Sequence, residues 1–77
     1  MRQPTKTVLA MLRNAFPKGM RVKLLSMDDP QAPPAGTEGT IIGVDDMGSI
    51  LVHWDNGSSL SIIPEAGDQI ERLKTDG

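Results

Sequence analysis

A chain of 77 residues with a formal net charge of −2 is long enough for one small domain and no more. It has no cysteine, which excludes a disulfide framework, thiolate metal ligands and a thiol nucleophile. Phe16 and Trp54 are its two aromatic residues, so the core must be built from Val, Ile, Leu and Met, and a core this thin favours support from an extra element or a second copy of the chain.

The first predicted element is a helix. Thr5, after Pro4, is a suitable N-cap, and no Gly or Pro occurs from Lys6 to Ala15. Val8, Leu12 and Ala15 form one stripe, Leu9 and Phe16 lie beside it, and Met11 widens it. Pro17 and Gly19 end the helix. A helix this short is not stable alone, so its apolar face must pack on the body of the chain or on a second copy.

Arg21 to Met27 alternates as a half-buried strand, with Val22 and Leu24 facing inward. Asp28-Asp29-Pro30 ends it, and Pro33-Pro34 stiffens the long connection that follows. Gly39 to Val44 is the second strand. Gly43 breaks its alternation and predicts a bulge that turns Ile41 and Val44 inward and Ile42 outward. In the third strand Ile50, Val52 and Trp54 share one face, with Leu51 and His53 opposite. Asp55-Asn56-Gly57 signals a tight hairpin. Leu60 and Ile62 supply a fourth strand, residues 64–68 a turn, and Ile70 with Leu73 a short fifth strand.

The fold expected is mainly β: a small five-stranded, SH3-like antiparallel barrel with an N-terminal amphipathic helix. Its organisation is a helical arm over residues 1–16, the barrel over 17–73 and a polar tail over 74–77. An OB-type barrel needs more chain. No apolar run approaches the ~20 residues of a membrane span, and the basic N-terminal stretch lacks the apolar run and cleavage site of a signal peptide. With no cysteine to suggest an oxidising compartment, the expectation is a cytoplasmic protein without membrane attachment.

Charge is unevenly distributed. Six cations, from Arg2 to Lys23, precede the first acid, Asp28; from there on ten acids face Arg72 and Lys74. Such a basic arm either docks on the acidic body, its own or a neighbour's, or contacts nucleic acid through Arg13, Lys18, Arg21 and Lys23.

The motifs Phe16-Pro17-Lys18-Gly19-x-Arg21-Val22, Asp29-Pro30-x-Ala32-Pro33-Pro34-x-Gly36-Thr37-x-Gly39-Thr40, Val44-Asp45-Asp46-x-Gly48 and Trp54-Asp55-Asn56-Gly57-Ser58 resemble a small family of bacteria, phages and conjugative elements classed as a domain of unknown function. The resemblance covers Phe16 to Leu73 and leaves the helix outside. It implies a compact barrel of mobile-element origin and no particular activity. A looser similarity of Gly-Thr-x-Gly-Thr and Trp-Asp-Asn-Gly to SH3-like modules that bind RNA, ribosomal surfaces or protein tails is architectural.

Catalytic and metal sets are thin. His53 is the one histidine, so there is no His metal pair, and Asp55 with Ser58, Ser59 or Ser61 makes a weak catalytic set. Asp28-Asp29, Asp45-Asp46 and Asp55 lack the spacing of a calcium loop and suit turns. No Gly-Lys-Ser/Thr phosphate loop occurs. The parity of Trp54 makes it a core anchor rather than a stacking platform. No enzyme and no cofactor are expected.

The leading expectation is a non-enzymatic binding module that acts through protein–protein contact, a homodimer or higher homo-oligomer suited to a mobile-element or phage accessory role. Its candidate interface is the helix face Val8, Leu9, Leu12 and Phe16 with the outward apolar residues Ile42, Leu51 and Ile63. The alternatives are a nucleic-acid-binding barrel that uses the basic arm, and a binder of a nucleotide or other small ligand at an oligomer interface.

Overall fold

The computed structural model describes residues 4–73; the polar tail 74–77 and Arg2 of the basic arm lie outside the described residues. Helix α1 spans Lys6–Ala15. Thr5 caps it, its Oγ1 accepting from the Val8 N–H at 3.1 Å. At the other end the Phe16 N–H donates to the Leu12 carbonyl at 2.8 Å, and Pro17 prevents continuation.

Four strands follow: β1 (Arg21–Ser26), β2 (Glu38–Val44), β3 (Ile50–Trp54) and β4 (Gln69–Arg72), with a 3-10 turn at Pro64–Ala66 before β4. They form one sheet in the order β3-β2-β1-β4, and every neighbouring pair is antiparallel. The fold is thus mainly β with one helix. Ladder β2–β3 slips between Ile41 and Gly43, so the bulge lies where Gly43 interrupts the alternation. Ile42 is pushed outward, 47% exposed, while Ile41 is buried and Val44 packs on the core edge.

Five strands in a closed barrel were expected, and the sheet described is an open one of four. The expected fourth strand is a single bridge, Ile50 to Ile62. Trp54 supplies a physical reason. Its indole Nε1 donates to the Leu60 carbonyl at 2.9 Å, which draws that carbonyl away from a ladder. Ser58, Ser59 and Ser61 add little strand preference. Leu60 is accordingly half-buried, outside the central core.

Val22, Leu24, Ile41, Ile50, Val52, Trp54 and Ile62 form the core, none more than 1% exposed. Full burial of an aliphatic side chain of this kind contributes about 1.5–3 kcal/mol. Gly39 is part of this packing: a Cβ there would lie 2.8 Å from the Trp54 ring, 2.8 Å from Val52 Cγ1 and 2.9 Å from the His53 carbonyl oxygen. A glycine therefore lets β2 close over the indole.

Helix α1 packs on the body of its own chain, yet none of its residues is fully buried. Three contacts hold it. Phe16 packs against the core. Pro4 and Leu12 sit on Gly48, where a Cβ would lie 3.3 Å and 3.6 Å from them; Gly48 also has φ +83°, so the turn favours glycine and the helix seat is close-fitting there. Arg13 Nη2 donates to the Val44 carbonyl and to Asp46 Oδ1, each at 3.2 Å. Among the described residues, no helix is long and apolar enough to cross a membrane.

Candidate functional site

Three separate segments build an apolar groove of about 600 Å³. Val8 and Leu12 of α1 form one wall, Met47 and Gly48 of the β2–β3 turn the floor, and Ile63 and Pro64 the opposite wall. The groove is unfilled by the chain's own apolar side chains: Val8 is 43%, Met47 48% and Ile63 47% exposed. A second depression of about 400 Å³ adjoins it through Leu12 and Pro64 and continues past Phe16, Leu25 and Ile70.

The β2–β3 turn is held by its own acids. Asp45 Oδ1 accepts from the N–H groups of Met47 at 3.0 Å and Ser49 at 2.9 Å, and the Gly48 N–H donates to the Asp45 carbonyl at 3.1 Å. On the far wall, Asp68 Oδ2 accepts from the Ile63 N–H at 3.0 Å and ties the chain around the 3-10 turn. The groove walls are thus set by side-chain-to-backbone hydrogen bonds.

The seven residues expected at a protein interface divide between these places. Val8, Leu12 and Ile63 meet at the groove, and Phe16 with Leu12 lines the adjoining depression. Leu9 lies on the other side of α1, beside Lys6 and Arg13. Ile42 and Leu51 flank the β2 bulge, where Leu51 is opposite Gly43. Met47 and Pro64 are groove residues that sequence reasoning missed. A Met at the tip of an Asp-flanked turn is the one local signal that pointed there.

The outer face of the sheet is charged. Arg21 Nη1 donates to Asp55 Oδ1 at 2.8 Å and to Thr40 Oγ1 at 3.0 Å; Nη2 donates to the second Asp55 oxygen and lies 3.5 Å from Glu38. This fork-on-carboxylate geometry holds the Asp55 carboxyl below the usual carboxylate range, chiefly through the hydrogen bonds from Arg21. The same bonds drive the Arg21 guanidinium further toward permanent protonation. Lys23 is cross-strand neighbour to Glu38 on β2 and Glu71 on β4. Arg13 is taken up by Asp46 and the Val44 carbonyl. Of the four candidate nucleic-acid contacts, Lys18 is left exposed in the turn before β1.

The remaining candidates have structural roles. His53 is an exposed β3 residue, and Asp55 carries the Arg21 pair. Asp29 Oδ1 accepts from the Gln31 N–H and Asn56 Oδ1 from the Ser58 N–H, both as turn residues. Among the described residues, no three His, Cys, Asp or Glu side chains converge as a metal set. Trp54 is 0% exposed, a core anchor.

No curated protein and no solved structure matches the chain. A family match does exist, over residues 5–73, so it takes in α1, which the quoted motifs had left out. By that match, covering nearly the whole sequence, the chain belongs to the family described as domain of unknown function DUF4314.

Proposed function

We propose that the protein is a small non-enzymatic binding module that acts through protein–protein contact at the groove between α1, the β2–β3 turn and the 3-10 turn. The observation that carries this reading is the half-exposure of Val8, Met47 and Ile63 around one preformed apolar hollow. We read the fold as a minimal SH3-like barrel, supported by the antiparallel order β3-β2-β1-β4 and the Ile50–Ile62 bridge that curls the following segment back. The resemblance to mobile-element proteins supports an accessory role beside a larger protein. The nucleic-acid reading is less well supported, because Arg13, Arg21 and Lys23 each have an acidic neighbour and leave no continuous phosphate track.

A photo-crosslinking side chain placed at Ile63, with His53 on the charged face as control, tests the reading in cells. Protein adducts from position 63 that are absent from position 53 are expected. Adducts equal at both positions, or salt-sensitive binding of oligonucleotides in a parallel titration, would contradict it.

A further inference from the structure

Independently of the groove, we infer that the outer edge of β4 takes up an extended, cationic peptide segment of another protein. The segment pairs with the backbone of Ile70 and Arg72 and sets one apolar side chain in the depression beside Phe16.

The direction of the backbone groups identifies the edge. On β1 the Leu24 N–H donates to the Thr37 carbonyl, and the Leu24 carbonyl accepts from the Gly36 N–H, both in the lead-in to β2. Leu24 thus turns its backbone groups away from β4, and Ile70 opposite it is a non-hydrogen-bonded partner. The Arg21 carbonyl, by contrast, accepts from the Leu73 N–H at 2.9 Å. Glu71 and Leu73 therefore face β1, while the N–H and C=O groups of Ile70 and Arg72 face away from it. Strand β4 ends the sheet order, so no strand among the described residues takes those groups. Donors and acceptors presented at every second residue of an edge match another extended backbone.

The depression of about 400 Å³ lies where such a strand would send a side chain. Ile70 packs against the core, and side chains opposite one another in a ladder point to the same face. A residue paired with Ile70 on its outer side therefore points toward the hollow that Ile70 lines with Leu12, Phe16 and Ile62. Leu25, at the slip of the β1–β4 ladder, is 47% exposed and lines the same hollow. Charge sets the sign of the partner. Glu65, Asp68 and Glu71 face one base, Arg72, over this stretch, and an edge of net negative charge favours a cationic strand.

A short capped peptide of alternating threonine and lysine, with leucine in place of the central threonine, is the probe. Titrated into the full chain, it should move the amide resonances of Ile70 and Arg72 most and slow their exchange with solvent. N-methylation of the leucine removes its bond to Ile70 and should weaken binding about tenfold. Arg72→Pro should weaken it to a similar extent. Its lost N–H faces outward, so the β1 ladder and the urea midpoint should be kept, and the lost positive charge by itself would favour the peptide. The N-methylated peptide decides the matter on the wild-type chain if that variant fails to fold. Absence of shifts at Ile70 and Arg72 up to about 1 mM peptide, shifts that peak on α1 or the β2–β3 turn, or equal binding of the N-methylated peptide overturns the assignment. Protection of the two amides that rises with protein concentration in the absence of peptide would overturn the foreign partner and give the edge to a second copy.

Discussion

The sheet and the helix of this small domain are put together differently. Seven side chains between the strands are sealed from water, with Trp54 hydrogen-bonded inside and Gly39 closed over it. Helix α1 has a longer run of residues than any strand and buries none of them completely. It is held by Phe16 at one end, a glycine seat under Pro4 and Leu12, and one arginine. Strands that alternate in and out seal most of their apolar side chains, with Leu25 and Ile42 left exposed; the helix seals none of its own and leaves Val8 and Met11 exposed.

The contrast can be broken most severely from the sheet side. Trp54→Ala removes the central side chain and the bond to Leu60, and should cost about 3–5 kcal/mol, comparable with the whole stability of a domain this small. A urea melt should then lack a cooperative transition. Gly39→Ala tests the same core by overpacking. Its methyl meets the indole and the His53 carbonyl oxygen at under 3 Å, and a loss of about 1–3 kcal/mol in the same melt is expected.

Changes on the helix side should be smaller and local. Thr5→Ala removes the N-cap and should cost the helix about 1 kcal/mol. Amide exchange should speed up in α1, with little change in β1 to β3. The smallest effect is expected from the Arg21–Asp55 pair, half-exposed to screening solvent. The Asp55 pKa is lowered in the folded state, so its stabilisation is fully present above the unfolded value of about 3.9 and is lost as pH falls through the lower folded value. Acid melts should therefore lose stability below about pH 4, and Asp55→Asn should flatten that slope.

Much of the sheet was legible because its information is local. Alternation selects Val22, Leu24, Ile41, Ile50, Val52, Trp54 and Ile62, which are buried, together with Val44 and Leu60, which the structure leaves half-buried, and Gly43 marks the bulge. The missing fourth strand was not legible, because the indole that takes the Leu60 carbonyl lies six residues away and its direction is a property of the folded core. The groove was legible in part. Val8, Leu12 and Ile63 stand out as apolar residues without an inward place. Met47 and Pro64 join them through turns that only the folded chain brings together. The uneven charge left open a basic arm that docks on acids or one that contacts nucleic acid, and Arg13 on Asp46, 33 residues apart, is a contact of the first kind. No local pattern could have chosen that acid among ten.

The division between a sealed sheet and a helix seated on it without full burial is tested most directly by native-state hydrogen exchange. Amides of Val52 and Trp54 should exchange only through global unfolding, and those of Val8 to Leu12 through easier local opening. Helix amides as protected as that of Trp54 would contradict the account.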